Sequence, residues 1–410
     1  MLKEYDLKTL DDVELKDKRV LVRVDINSPV DPETKKILDY TRIKSHIVTI
    51  KELSDKEAKT IIIAHQGRPG DPDFISLKQH AEILSNLLGK EVLFVDDIFG
   101  EKARNAIKNL KSGQILMLEN VRMWKGERKK LTAEEHSKSE LVQSLAPLID
   151  IFVLDAFAAA HRLHASIVGF IPAVKESVIG RVMEKELRVL YKVVEAPERP
   201  IVYILGGAKA EDSAELARTV LSEKRADFIL TGGLVANLFL FSKGIDIGSP
   251  NVEVLEKKGF LELKDEISKL LEEYEDKILL PVDLAVELPD GSREEVKVEE
   301  LPTSYLIKDV GKKTIEKYCE GIVNAKTVFM NGPMGVFEKP EFAIGTREIF
   351  ECIARSSAFS LIGGGHTLAA ARSLGYSEKV SHMSTGGGAL MTFLIKKTLP
   401  AIEVLKKYTK

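Results

Sequence analysis

At 410 residues the chain exceeds the roughly 250 to 300 at which a single core stops growing, so two domains are expected, and its 44% hydrophobic content can fill two cores. Sixty Lys+Arg against 63 Asp+Glu give a net charge of -3, leaving no overall basic excess to argue for nucleic acid. No run approaches the roughly 20 apolar residues that span a bilayer, so no membrane partner is expected either. The N-terminus Met-Leu-Lys-Glu-Tyr-Asp has no apolar signal core, and Cys319 and Cys352, the only cysteines, form no C-x-x-C pair; a reducing, cytoplasmic setting is expected. The 30% charged content leans towards a heat-adapted source.

Taken in chain order, apolar runs alternate with helical periodicity. Arg19 to Val24, Thr60 to Ala64, Glu91 to Val95, Gln114 to Leu118 and Ile151 to Leu154 are rich in Val, Ile or Leu and too continuous to be half solvated, as buried parallel strands are. Ser76 to Leu88 and Thr132 to Leu148 read as helices between them. From Glu176 to Pro200, Val178, Ile179, Val182, Met183, Leu187, Leu190 and Val194 recur at three- and four-residue steps, which suits one helix; Pro197 and Pro200 then break it. This helix, almost midway along the chain, is expected to join two domains. Strands resume at Ile201 to Leu205, Asp227 to Leu230, Lys277 to Leu280, Thr327 to Met330 and Ala358 to Ile362. Val282 to Leu301 carries Asp290-Gly291 between alternating residues and reads as a surface hairpin. Thr392 to Lys410 is amphipathic, and could finish the second domain or cross back to the first.

The expected fold is therefore α/β: two doubly wound parallel-sheet, Rossmann-like domains joined by a central helix. The bounds are 1-175 for the first domain, 176-200 for the helix and linker, 201-391 for the second domain and 392-410 for the terminal segment. In such sheets ligands bind beyond the carboxyl ends of the strands. Asp25 and Asn27 follow the first strand, His65 and Arg68 the second, Arg122 the fourth, and Asp155 to Ser166, with Arg162, the fifth; Arg42 lies at an apparent helix start. Arginines 42, 68, 122 and 162 could converge on one crevice and grip a small ligand bearing several negative oxygens. Taken singly, each is more often a solvated surface charge. His65, His161 and His164 could be metal ligands or general bases, but no Cys or carboxylate pattern completes a zinc set, which favours anion binding or structural bonding.

In the second half, strand ends carry glycine instead: Gly206-Gly207 before Lys209, Gly232-Gly233, Asn331 to Glu338, Gly363-Gly364-Gly365 before His366 and Thr367, and Gly386 to Gly388. Glycine lets backbone approach phosphate closely, and helix N-terminal amides favour its charge, so these loops could cradle a nucleotide with Lys209 against it. Neither G-x-x-x-x-G-K-[ST] nor G-x-G-x-x-G occurs, which argues against a Walker-type ATPase and an ordinary dinucleotide dehydrogenase.

Over nearly its whole length the chain resembles the phosphoglycerate kinase family. Arg23 to Asn27, His65 to Pro69, Leu118 to Arg122, Asp155 to Ser166, Leu205 to Lys209, Gly332 to Glu338, Gly363 to Thr367 and Ser384 to Ala389 look like that family's motifs, in its order. The resemblance implies reversible phosphoryl transfer between 1,3-bisphosphoglycerate and ADP, giving 3-phosphoglycerate and ATP with Mg2+, in glycolysis or gluconeogenesis. It implies a phosphoglycerate site of Asp25, Asn27, Arg42, His65, Arg68, Arg122 and Arg162. It implies a nucleotide site of Gly207, Lys209, Gly232, Gly233, Asn331, Glu338, Gly364, Gly365, His366 and Thr367, with Glu338 facing the ribose. Arg42 and Lys209 are the expected catalytic charges. A hinge-closing cleft and a C-terminal segment returning to the first domain are implied too. Two positions depart from the family pattern. His366 stands where an Asp lies near the nucleotide's magnesium, so the metal ligands are left unassigned, and Ser213 replaces a second lysine. Two alternatives stay open: another acyl-phosphate-forming kinase, for which four arginines are too many for a lone carboxylate, and a non-catalytic nucleotide-binding regulator on the same scaffold. A monomer and a homodimer both fit the sequence.

Overall fold

A computed structural model describes residues 5–408. The chain forms two compact units, one running to Leu190 and including the segment from Thr398 on, the other Tyr191–Lys397. The first holds strands β1 (Arg19–Arg23), β2 (Lys59–Ile63), β3 (Val92–Phe94), β4 (Ile115–Met117), β5 (Ile151–Leu154) and β6 (Glu176–Ile179). All six pair in parallel, in the order β3-β4-β2-β1-β5-β6. Both faces are covered: Val20 and Val22 are buried with Ile50, Leu53 and Leu84, and Leu21, the residue between them, is buried as well. Strands buried on two sides need continuous apolar runs, which is why these were readable from composition.

The second unit holds β7 (Ile201–Leu205), β8 (Phe228–Thr231), β9 (Ile278–Leu279), β10 (Asp283–Glu287), β11 (Arg293–Lys297), β12 (Leu306–Val310), β13 (Thr327–Asn331), β14 (Phe359–Gly363) and β15 (His382–Met383). Six form a parallel sheet, β15-β14-β13-β7-β8-β9, over a core that includes Val202, Ile204, Val328, Met330, Tyr318 and Phe350. The expected hairpin is β10 and β11, antiparallel around Gly291 (φ +82°), with β12 added as a third strand. In the first sheet the chain leaves β1 for β2 to β4 on one side and then moves to β5 and β6 on the other. In the second it leaves β7 for β8 and β9, and β13 to β15 lie opposite. The strand order thus reverses between β1 and β5 and between β7 and β13, where an open sheet leaves a crevice.

Four expectations change. The central helix spans Arg181–Glu195, not the whole stretch from Glu176, because Val178 and Ile179 pair with Val153 and Leu154 as β6. Gly180 makes the corner: a Cβ there would lie 2.3 Å from Asp155 Oδ1, which accepts the backbone N–H groups of Val182 (2.9 Å) and Met183 (3.1 Å) at the start of the helix. Thr132 to Leu148 is not one helix. Thr132 caps Ala133–His136 in a reciprocal box with Glu135, the backbone turns extended at Ser139, Glu140–Leu145 follows, and Pro147 lies in a closing 3-10 turn. The terminal amphipathic stretch is two helices, Gly388–Lys396 in the second unit and Pro400–Tyr408 in the first, parted by Lys397 at φ +61°. Cys319 and Cys352, read from the sequence as residues of a reducing setting, form a disulfide between helices Lys312–Asn324 and Ile344–Arg355; their 33-residue separation gave no sign of it.

Candidate functional site

The crevice of the first unit is cationic. Arg23 ends β1 and is only 1% exposed; its Nε donates to Ser166 Oγ (2.8 Å) and a terminal nitrogen to His65 Nδ1 (2.9 Å). Ser166 is held in turn by buried Glu127, which accepts its N–H (3.0 Å) and its hydroxyl (2.7 Å). Arg42 donates to Asp25 Oδ2 (2.7 Å), and Asn27 accepts the N–H of Gly67 (2.8 Å), tying the loop after β1 to the loop after β2. Arg122 donates to the Gly67 carbonyl, and Arg162 Nε to His161 Nε2 (3.0 Å). Arg68 is exposed beside this group.

The electrostatics state what the crevice lacks. Burial, then Arg23 and Arg162, pushes Arg122 down to about 10; burial also lowers Arg162, with Arg68 and Arg42 acting in the same sense against Asp25. Arg162 therefore feels both Arg42 and Arg68, and Arg122 feels Arg162. Burial opposes the charge of Asp25, yet Arg42 and Arg23 hold its carboxyl below the usual range. Burial and Arg23 push His65 well below its ordinary value, burial and Arg162 take His161 to about 4, and burial with Arg122 takes His164 to about 3. These rings are neutral at pH 7. What is left is crowded guanidinium charge that a polyanion would relieve.

Sequence reasoning missed Arg23 as a site residue, because an arginine closing an apolar strand carries no separate signal. It also gave no role to Glu127, Arg128 or His46. Exposed Arg128 adds to the field at Arg122 and Arg162. His46 Nε2 accepts the Asp25 N–H (3.1 Å), so Nδ1 carries the proton towards Asp155 Oδ2 (2.9 Å). A polar residue on an otherwise mixed helix gives no warning of such a link.

The crevice of the second unit is built from backbone. Loops after β7, β8, β13 and β14 enclose a cavity lined by Gly207, Lys209, Gly233, Asn331, Glu338, Gly364, Gly365, His366 and Thr367, among others. Gly232 alone of the expected nucleotide residues is not on its surface; a Cβ there would run into the Met334 side chain at 2.6 Å, so it serves the packing behind the wall. Gly332 has φ +96°, its N–H donates to Thr367 Oγ1 (2.6 Å), and a Cβ would meet the Gly206 carbonyl at 2.0 Å. Gly207 donates to the Pro333 carbonyl (2.8 Å) and Gly233 to that of Met334 (2.8 Å), locking the three loops together. Exposed Lys209 stands at the N-cap of helix Ala210–Ser222, and Gly364 at the N-cap of Gly365–Ser373, whose second residue is exposed His366. Two helix N-termini with free amides and a lysine suit phosphate. Ser213 is fully buried, so the position lacks not only a charge but access to the crevice. Leu284, Ile307 and Val310 form an apolar part of the wall, supplied by the three-stranded sheet, and Lys308, Asp309 and Asn237 lie there too; none of these six was read from the sequence as a site residue.

A family description, Phosphoglycerate kinase, matches residues 10–397. Among curated proteins, the chain is 48% identical over 403 residues to the phosphoglycerate kinase of Methanothermobacter thermautotrophicus, covering 98% of this chain and 97% of that one. It is 49% identical over 398 residues to that of Methanobacterium bryantii, covering 97% and 96%. Among solved structures, the phosphoglycerate kinase of Pyrococcus horikoshii OT3 superposes with a TM-score of 0.90 at 42% identity, covering 98% of this chain and 99% of that one.

Proposed function

The chain belongs to the phosphoglycerate kinase family, and from that premise we propose how its two crevices divide the reaction. The activity is reversible phosphoryl transfer between 1,3-bisphosphoglycerate and ADP, giving 3-phosphoglycerate and ATP, a phosphotransferase reaction with a carboxyl group as acceptor. In our reading the cationic crevice takes the phosphoglycerate, with Arg68, Arg122 and Arg162 on its distal phosphate, Asp25 and Asn27 on its hydroxyl side, and Arg42 beside the reacting carboxylate. His65, held neutral, orients Arg23 and lends no charge of its own. The glycine-lined crevice takes the nucleotide: its phosphates against Lys209 and the amides at Gly364 and Gly365, its ribose against Glu338. The observation that carries this reading is the arginine cluster, in which burial, then the neighbouring charges of Arg23 and Arg162, pushes Arg122 down to about 10, and whose crowded charge a phosphorylated acid would relieve.

No general base is required, because the attacking carboxylate is already ionised. The residues must hold two anions in line and offset charge on the transferring group, which Arg42 and Lys209 do in this proposal. Closure of the crevices around the substrates would exclude water that screens those charges and hydrolyses the acyl phosphate. Mg2+ would arrive with the nucleotide and polarise its phosphates. Among the described residues no group of three or more His, Cys, Asp or Glu forms a cage for it, which suits an ion held mainly by phosphate and water. A cytoplasmic location is our expectation, and the disulfide is compatible with it in a heat-adapted source.

Hydroxylamine trapping of acyl phosphate with magnesium ATP, comparing 3-phosphoglycerate, glycerate, acetate and no acceptor, tests the assignment. Hydroxamate formed only with 3-phosphoglycerate is expected. Equal product from glycerate would remove the distal-phosphate role from the arginines.

A further inference from the structure

We propose that Glu127 is a positioning residue of the first crevice: through Ser166 and Arg23 it fixes His65 as a neutral hydrogen-bond donor to the phosphoglycerate. The proposal rests on the phosphoglycerate reading of that crevice and deepens it. Glu127 is wholly buried, a costly place for a carboxylate unless a partner answers it. A tight turn directs it inward. Its N–H donates to the Trp124 carbonyl (3.3 Å), and only glycine fits at position 126, where a Cβ would lie 2.0 Å from the Trp124 ring. The Glu127 carbonyl accepts the N–H of Ala165 (3.0 Å), which brings Ser166 alongside.

From there the direction of every bond follows from what each group can give. An ionised carboxylate only accepts, so the Ser166 hydroxyl points its proton at Glu127 Oε1 (2.7 Å) and turns a lone pair to Arg23 Nε (2.8 Å). A guanidinium only donates, so the terminal nitrogen of Arg23 at 2.9 Å makes His65 Nδ1 an acceptor. The proton of this ring, which burial and Arg23 keep neutral, therefore sits on Nε2. Among the described residues nothing is bonded to Nε2, and it is not one of the sealed ring nitrogens such as Nδ1 of His80; His65 keeps 4% of its surface exposed.

The charges close the argument. Burial pushes the Glu127 carboxyl up, and Arg23 with the two bonds from Ser166 pulls it back. In return Glu127 favours the charged forms of Arg23, itself only 1% exposed, and of Arg122. Without the carboxylate, Ser166 has no fixed direction, Arg23 loses a buried counter-charge, and the ring is free to turn its donor away from the ligand.

The test uses the full chain with 3-phosphoglycerate and magnesium ATP. Glu127→Gln keeps the shape and removes the charge; Ser166→Ala removes the hydroxyl link and leaves every charge in place. Each should raise KM for 3-phosphoglycerate by about tenfold while KM for magnesium ATP stays within about twofold. A carboxylate with a merely structural role would lower the melting midpoint and leave both KM values of the folded protein alone. That result, or an equal rise in both KM values, would overturn the proposal, and Ser166→Ala decides it if Glu127→Gln does not fold. A second measurement needs neither variant: nitrogen NMR of histidine-labelled protein, with His65 assigned by the loss of its signal in His65→Gln. The Nε2-protonated ring is expected, and an Nδ1-protonated ring would overturn the relay. Failure of 3-phosphoglycerate to bind the unaltered protein by calorimetry would instead overturn the reading of the crevice.

Discussion

Arg42 touches Asp25 and, in the proposed reaction, the transferring phosphoryl group, so its removal has two separable effects. Arg42→Ala should lower kcat by about a hundredfold, on the order of 3 kcal/mol in barrier, and should separately lower stability, because it leaves the buried Asp25 carboxylate without its ion-pair partner. Near-normal turnover in steady-state kinetics would take Arg42 out of the chemistry. A second residue carries a pH signature. His80 is buried, with Nε2 on Gln66 Oε1 (3.0 Å), and burial pushes it down to about 4. The unfolded chain binds the proton first, near the ordinary value of about 6.5. Stability present above that pH is therefore lost as pH falls towards 4, by on the order of 3 kcal/mol. His80→Leu should flatten this part of the stability curve, measured by urea unfolding at several pH values. Curves that ran parallel would mean that the ring is not held neutral.

Elements, more than single residues, decide what the sequence could reveal. The long runs of Val, Ile and Leu that became β1, β2, β5, β7 and β13 were legible because a strand covered on both faces leaves no other composition possible. β6 was not, since Val178 and Ile179 keep helical spacing with Met183 and Leu187, and only pairing with β5 selects the strand. β12 and β15 are short or mixed, and tertiary pairing defines them. The charged crevice was visible as arginines past strand ends, whereas Asn237 reads as one polar residue within the apolar run Leu234 to Leu240. Glycine loops can be tested in pairs. Gly364 has φ +85° and a Cβ would lie 2.4 Å from Asn331 Oδ1, while Gly365 has open space around it. Gly364→Ala should destabilise by about 1–3 kcal/mol, and Gly365→Ala by less than about 0.5, read as shifts in urea midpoint. Equal shifts would mean that the left-handed turn is not needed. The disulfide ties two helices across 33 residues, and its reduction should lower stability by about 3–4 kcal/mol, seen as a reductant-dependent midpoint. A midpoint indifferent to reductant would remove the bond from the stability of this unit.

For the molecule as a whole, two compact units with separate cores and separate ligand crevices predict ligand-selective stabilisation. A ligand at a hundredfold excess over its Kd adds about 2.7 kcal/mol to whichever unit binds it. In scanning calorimetry, 3-phosphoglycerate alone should raise the transition of the first unit and magnesium ADP that of the second; each ligand moving both transitions equally would contradict this division. One further property follows from the helix Pro400–Tyr408. Ala401 donates to the Ala160 carbonyl (3.1 Å), and Tyr408 donates to Glu134 (2.6 Å), so the first unit is completed by residues made after the whole of the second. On the ribosome, at ~5–20 residues per second, the early half waits roughly ten to forty seconds for its last piece. During synthesis the surface that this helix covers lies open, and the early-made half depends on residues that leave the exit tunnel only after the whole of the second unit.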